Sequence, residues 1–314
     1  MSFPRIETIE DLAQLTRLSK GLIYRLSGFN SKFYRIIKRK KKSGGIRIIR
    51  EPSKAMKAVQ SWILRFILDK IDLPDYATGF RPQKNIADNA IIHKGNQFIL
   101  CYDIEDFFPS ISYARVYNVF KMINYNSFIC HMFTSLCTCN GVLPQGAITS
   151  PALSNIVSTR MDSRIGNYVG KYMVYYSRYA DDITLSAKSI AKLQKVSHFV
   201  KHIIRDEGFL LNPNKTRYLT PSRCRKITGI VLSDDSMGIG KRTKLHLRVL
   251  IHCALCNSKL DAEARQKMIR SLSGWMAFLY SVDKTGMWQL KKYTERLVEK
   301  YNITDYHIIF PHGI

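Results

Sequence analysis

The sequence predicts an α+β fold, and three observations lead to it. Short runs rich in β-branched and aromatic residues, bounded by turn-formers, occupy 98–103, 172–178 and 183–187. Stretches with apolar residues three and four apart lie on either side of them, and from Lys241 onward the pattern is helical. With 314 residues, 46% of them hydrophobic, the chain can bury a full core as two or three subdomains around one cleft. Its 49 Lys and Arg against 24 Asp and Glu leave a net charge of +25, which calls for a polyanionic partner. The 17 Tyr and 15 Phe add stacking surfaces, so nucleic acid is a better match than an anionic membrane. No run of 18 apolar residues occurs, and Glu7 precedes any apolar stretch, so the expectation is a cytoplasmic protein with no membrane partner.

Taken in order, Thr8 is placed to cap a helix over 9–15 with acids in its first turn, and a second short helix covers 20–26. Residues 1–34 are thus a helical lead-in. From Arg35 to Arg50 there are eight basic residues and no acid, interrupted by Ser43-Gly44-Gly45, the pattern of a basic hairpin. Ser53 caps a helix whose Ala55, Met56, Val59, Trp62, Ile63, Phe66 and Ile67 form one apolar face. A Pro- and Gly-rich loop covers 74–82, and a helix over 85–93 puts Asn89 and His93 on a shared face. The strand 98–103 ends in Asp103. A helix broken near Asn124-Tyr125-Asn126 spans 116–132, and Leu143-Pro144-Gln145-Gly146 is a turn before a helix capped by Ser150 with Pro151 at its first position. Leu153, Ile156, Val157, Met161 and Ile165 are its buried stripe. A hairpin over 172–187 follows, then a helix over 188–207 stopped by Gly208, a strand at 209–211 and another at 227–232. Helices over 241–257, 262–281 and 284–301 close the chain.

The chemistry concentrates at the bend Tyr179-Ala180-Asp181-Asp182. Alone it would read as an exposed acidic turn. With Asp103 at the end of a strand able to lie beside it, three carboxylates from two strands form a cradle for hard divalent cations about 3.5–4 Å apart. The Ile104 carbonyl is a further oxygen ligand. Glu105 and Asp106 do not replace Asp103 and are assigned to basic neighbours or solvent. Seven irregularly spaced cysteines do not suggest a disulfide framework. Cys137 and Cys139, with His131, lack the usual zinc spacing, and Cys253 and Cys256, with His246 and His252 nearby, sit in an apolar helical stretch where cysteine acts as a small hydrophobe.

These motifs carry a specific resemblance. Tyr179-Ala180-Asp181-Asp182, Asp103-Ile104-Glu105-Asp106-Phe107-Phe108-Pro109-Ser110 and Leu143-Pro144-Gln145-Gly146-Ala147-Ile148-Thr149-Ser150-Pro151 resemble, in order and spacing, the catalytic motifs of reverse transcriptases. Asn89-Ala90-Ile91-Ile92-His93 matches the Asn-Ala-x-x-His motif of bacterial retron reverse transcriptases, and Ile227-Thr228-Gly229 nearly matches their Val-Thr-Gly, with Ile for Val. The resemblance runs from about Lys40 to Ser233.

It implies a right-hand polymerase: fingers at 35–97 with an interleaved segment near 115–142, a palm at 98–233 and a helical, RNA-binding thumb at 234–314. Asp103, Asp181 and Asp182 would be catalytic and, with the Ile104 carbonyl, hold two Mg2+, for which Mn2+ could substitute. Arg47, aided by Lys41 or Lys42, would grip the triphosphate, although the same charge run fits a template phosphate grip. Phe108, five positions after Asp103, would exclude a 2′-hydroxyl, and Gln145 would face the nascent pair. Lys215, in Asn212-Pro213-Asn214-Lys215-Thr216, would be a general acid with its pKa tuned by burial, against the plainer reading of a surface lysine. Asn89, His93, Thr228 and Gly229 would form a surface that holds structured RNA.

The activity implied is copying of a cognate noncoding RNA into multicopy single-stranded DNA from a guanosine 2′-hydroxyl. The partners implied are that RNA, its DNA product, deoxynucleoside triphosphates and an effector protein of antiphage defence. A generic group II intron-like reverse transcriptase, an RNA-dependent RNA polymerase and a non-enzymatic RNA-binding protein are the alternatives. Phe108 argues against the second, and three clustered carboxylates in a basic protein argue against the third.

Overall fold

The computed structural model describes residues 3–40, 44–257, 259–303 and 309–310. Lys41 and Lys42 lie outside the described residues. At the N-terminus α1 (Ile9–Thr16) opens with a capping box, Thr8 taking the Asp11 N–H while the Asp11 carboxylate takes the Thr8 N–H. Helix α2 (Lys20–Gly28) is capped by Ser19. The basic segment is an antiparallel hairpin, β1 (Tyr34–Lys40) and β2 (Ile46–Pro52), with Arg39 opposite Arg47. Ser53 caps α3 (Lys54–Phe66), and Asn85 caps α4 (Ile86–Ile91) through a second capping box with Asp88.

The centre of the molecule is a four-stranded antiparallel sheet. Its strands are β3 (Phe98–Asp103), β4 (Tyr175–Tyr179), β5 (Asp182–Ala187) and β6 (Arg217–Leu219), in the order β4-β5-β3-β6. Period-two alternation sends β3 side chains to two cores. Leu100 and Tyr102 join the large core with α8 (Thr159–Gly170) and α9 (Ile190–Asp206). Ile99 and Cys101 face the other way, onto Ala87 and Ala90 of α4 and a small sheet of β7 (Arg225–Ile227), β8 (Ile230–Leu232) and β9 (Met237–Gly238). Helices α5 (Tyr113–Met122) and α6 (Ser127–Cys137) pack together, α6 also against α2 and α3, and α7 (Ser150–Val157), which packs on α5, leads into α8. The C-terminal α10 (Lys241–Cys256), α11 (Ala262–Val282) and α12 (Lys284–Tyr301) bury their own core around Leu247, Ile251, Leu272, Met276 and Leu290.

Several local expectations are corrected. Ser150 does not cap: it is the first residue of α7, and its hydroxyl donates to the Pro144 carbonyl at 2.7 Å, tying the Gln145-Gly146 turn to the helix. The stripe expected on one helix spans two, because the chain breaks at Ser158. Residues 209–211 are not a ladder strand; Leu210 accepts from the Glu105 N–H and Asn212 donates to the Asp103 carbonyl, so this segment braces the end of β3. The strand expected at 227–232 is a hairpin whose turn is Thr228-Gly229, both at positive φ (46° and 99°). Phe66, expected on the apolar face of its helix, is exposed, as is Phe199 of α9, whose ring lies tilted against Tyr168 at 4.4 Å.

Candidate active site

The bend between β4 and β5 is two residues long, since Tyr179 pairs with Asp182 across it. Ala180 adopts the left-handed region, φ 57°, which costs a residue with a Cβ free energy unless its surroundings over-determine it. They do. Arg178 is wholly buried; its Nε and Nη2 donate to the two oxygens of Asp162 on α8 at 2.8 and 2.7 Å. Its Nη1 donates to the Ala180 carbonyl and to Asn155 Oδ1, both at 3.1 Å. Tyr176 adds a hydrogen bond to Asp162 at 2.7 Å. From outside, the 76–82 loop presses on the bend: Thr78 donates its N–H to the Arg178 carbonyl, and a Cβ on Gly79 would stand 2.8 Å from the Ala180 nitrogen. Only glycine permits that approach. Ile104 donates its N–H to the Asp181 carbonyl, pinning the bend to β3.

This framework brings the three carboxylates together, with Asp103 directly opposite Asp182 in the ladder. Burial and the neighbouring Asp103 charge push Asp181 upward. Asp182 keeps an accessible edge, yet the protein packed around its carboxyl group, with the charges of Asp181 and Asp103, pushes it up to about 6. Such shifts mean that burial and mutual repulsion outweigh the cations nearby. One of those cations is Lys215, whose ammonium donates to both Asp103 oxygens at 2.8 Å. This hydrogen bond to Asp103 holds Lys215 above its ordinary value. The expectation that burial would tune Lys215 toward proton release is thereby corrected: its side chain is half exposed and its partner works in the opposite direction. Arg217, on β6 beside Cys101, also lowers Asp182, and Arg47 of β2 lowers Asp181.

The residues expected to meet the nucleotide lie on the basic hairpin, after β3 and before α7. Arg47 is exposed on β2, and Arg39 stands opposite it on the same hairpin face. Phe108 is half-buried, 5.6 Å from the Phe107 ring and 6.2 Å from Phe80, which in turn lies 6.2 Å from Tyr179. The Gln145 carbonyl accepts the Arg50 N–H at 2.8 Å. Gly146, at φ +123°, has no room for a Cβ, which would meet the Arg50 carbonyl at 2.7 Å. The basic hairpin and the Gln-Gly turn are therefore one unit.

Asn89 and His93 are not where an RNA-facing surface needs them. They are 1% and 0% exposed, sealed between α4 and the back of the central sheet. Their hydrogen-bonding atoms are committed to Ser177, Ser186, Thr78 and Thr228. Thr228 is half-buried and Gly229 exposed, so of the four residues only the turn is accessible.

Sequence reasoning missed Arg178, Asp162, Gly79, Phe80, Arg39 and Arg217. Arg178 left a trace: it shares strand parity with Tyr176, on the face alternation buries, and a buried guanidinium requires a partner. Asp162, at an inward position of α8, is that partner. Nothing in the sequence marks Phe80 or Gly79.

The family model for reverse transcriptase (RNA-dependent DNA polymerase) matches residues 38–232. The chain belongs to the reverse transcriptase family. Within it, the chain is 37% identical over 304 residues to the retron Ec86 reverse transcriptase of Escherichia coli, covering 96% of this chain and 92% of that one. It is 30% identical to the retron Mx65 reverse transcriptase of Myxococcus xanthus over 76% of this chain and 60% of that one. A telomerase structure from Candida albicans, in complex with a fragment of telomeric RNA, aligns with a TM-score of 0.49 at 13% identity, over 87% of this chain and 61% of the telomerase chain. The protein is a bacterial retron reverse transcriptase, an RNA-directed DNA polymerase.

Divalent metal dependence goes with that family. The residues present fit it: the donors are all hard oxygens, and Asp181 and Asp182 are shifted in the direction that a nearby cation reverses. The three carboxylates are neighbours, but among the described residues no three metal-ligating side chains are disposed to hold one ion as they stand; Lys215 takes both Asp103 oxygens. None of the described helices is long and apolar enough to cross a membrane.

Proposed function

We propose that this reverse transcriptase copies part of one folded, cognate noncoding RNA into multicopy single-stranded DNA. It starts from the 2′-hydroxyl of an internal guanosine and leaves a 2′–5′ branched RNA–DNA product. One observation carries the retron-specific part of this reading. The Asn-Ala-x-x-His segment and the Ile-Thr-Gly turn, distant in sequence, meet through Asn89 and Thr228 behind the hairpin that presents Asp181 and Asp182. The 37% identity across 96% of the chain to one retron enzyme supports the same reading.

In this mechanism Asp103, Asp181 and Asp182, with the Ile104 carbonyl, would hold two Mg2+ ions, or Mn2+ in their place, which when bound would supply Lewis acidity toward the attacking hydroxyl and the leaving phosphate. Arg47, with Arg39 opposite it, holds the incoming triphosphate, which needs fixed positive charge as its phosphates lose their partner. Lys215 keeps its proton beside Asp103 and is assigned to the leaving phosphate as proton donor. Phe108, supported by Phe80 and Phe107, stands where a ribose 2′-hydroxyl would go. Gln145 is held at the nascent pair through Gly146 and β2.

The basic hairpin with α3 to α6 acts as fingers (35–97 and 115–142), the central sheet as palm (98–233) and 234–314 as an RNA-binding thumb. Thr228 and Gly229 contact the RNA. We place the enzyme in the cytoplasm with no membrane partner, working with an effector protein in antiphage defence. Sequencing the nucleic acid that copurifies from its native host tests this reading. A single RNA joined to DNA through a branched guanosine is the expected result, and linear, heterogeneous products alone would refute it.

A further inference from the structure

The buried contacts of Asn89 and His93 form a continuous relay with one consistent direction. Asn96 Nδ2 donates to Ser186 Oγ at 3.0 Å, and Ser186 Oγ lies 2.7 Å from His93 Nδ1. His93 Nε2 lies 2.7 Å from Ser177 Oγ, whose hydroxyl donates to Asn89 Oδ1 at 2.7 Å. Asn89 Nδ2 then donates to Thr228 Oγ1 at 3.4 Å. Since Ser177 gives its hydrogen to Asn89, it takes the one on His93 Nε2, and His93 Nδ1 accepts from Ser186. The neutral Nε2–H tautomer satisfies every member. Burial, which holds His93 far below its usual range at about 3, keeps the ring in that neutral form.

The placement of the ends matters more than the chain itself. Ser177 and Ser186 sit on β4 and β5, the two strands whose bend carries Asp181 and Asp182. Thr228 sits at the tip of the β7–β8 hairpin, a β-branched residue at φ 46°, a conformation that its surroundings must hold. A second tie fixes the other end of β7, where Arg225 donates to the Asn96 carbonyl at 2.9 Å. Apolar packing of Ala87, Ala90, Ile227 and Ile230 fills the space around the relay and excludes water.

We propose that Asn89 and His93 are positioning residues: with Ser177 and Ser186 they form a buried strut that fixes the Thr228–Gly229 turn relative to the catalytic bend. One nucleotide of the RNA held by that turn is thereby presented to the aspartates. This rests on the retron reading above and goes beyond it, by assigning to the Asn-Ala-x-x-His segment a setting of the start site rather than a contact with RNA.

The test is the position at which synthesis starts, read by sequencing the branch junction of DNA made on the cognate RNA. Ser177→Ala cuts the relay in its middle without adding bulk. The share of product starting at the wild-type nucleotide should fall about fivefold, the factor that one buried hydrogen bond is worth, with neighbouring positions appearing instead. Thr134→Val, which removes an equally buried hydroxyl in α6, outside the relay, should keep the single start. If Ser177→Ala does not fold, Ser186→Ala cuts the relay on the other side of His93 and serves the same test. Reduced yield from an unchanged start position would overturn the strut and leave these residues structural. Absence of any branched product from the wild-type enzyme would instead overturn the retron reading itself.

Discussion

Replacing Arg178 by Met removes the guanidinium that joins Asp162, Asn155 and the Ala180 carbonyl, and leaves the Asp162 carboxylate buried with Tyr176 as its remaining hydrogen-bond donor. Both partners of this pair are wholly buried. Breaking such a pair on one side costs roughly 3–5 kcal/mol, far more than a surface pair, because the orphaned charge cannot rehydrate. Urea unfolding should show that loss in the single variant. Pairing it with Asp162→Leu removes the orphaned charge and should recover most of the stability. Activity should not recover, because Ala180 still lacks the donor that holds its left-handed backbone and the aspartates drift. A displacement near 1 Å costs about a hundredfold in rate, so primer extension by the double variant should stay depressed by about that factor. Wild-type stability in Arg178→Met, or wild-type activity in the double variant, would refute the reasoning.

Three further outcomes follow from the same geometry. Phe108→Ala or Phe108→Val opens the space beside Phe80 and should let ribonucleotides into primer extension; unchanged discrimination would assign the gate to another residue. Gly146→Ala puts a Cβ against the Arg50 backbone and should raise the KM for deoxynucleotides by about tenfold, with smaller changes in template affinity, as kinetics at fixed template would reveal. His93 makes stability pH-dependent in a definite direction. Its pKa is about 3 folded against 6.5 unfolded, so its contribution is complete above 6.5 and fades as the unfolded chain takes up a proton below it. Between pH 7.5 and pH 5 this amounts to about 2 kcal/mol, and a His93→Asn protein should lack that part of the slope in urea titrations.

The elements that carry strong periodicity were legible in the sequence: α3, α9 and the three C-terminal helices have ends within a few residues of those expected. The β4–β5 hairpin and β3 were legible because β-branched runs met an Asp-Asp bend. Short strands were not. β6 to β8 have three residues each, too few to show a period, and what defines them is the pairing of Cys101 with Arg217 and of Ile227 with Ile230. Asn89 and His93 were found through their motif but read on the wrong side of the fold, because a four-residue spacing gives a shared face and does not say whether that face is inside. Polar residues suggest solvent; here serines from β4 and β5 supply an interior just polar enough to hold them. The buried Arg178–Asp162 pair needed both the strand parity and the facing helix, which only the folded chain brings together.

The central claim is that Asp103, Asp181 and Asp182 at the Ala180 bend carry out RNA-templated DNA synthesis. Deoxynucleotide incorporation on an RNA template by Asp182→Asn tests it most directly. The substitution removes one charge of a mutually repelling set, so the protein should unfold in urea no earlier than the wild type. Its incorporation rate should fall at least about a thousandfold, the loss expected when a metal-binding carboxylate becomes an amide. A folded Asp182→Asn protein that incorporates deoxynucleotides at close to the wild-type rate would contradict the account.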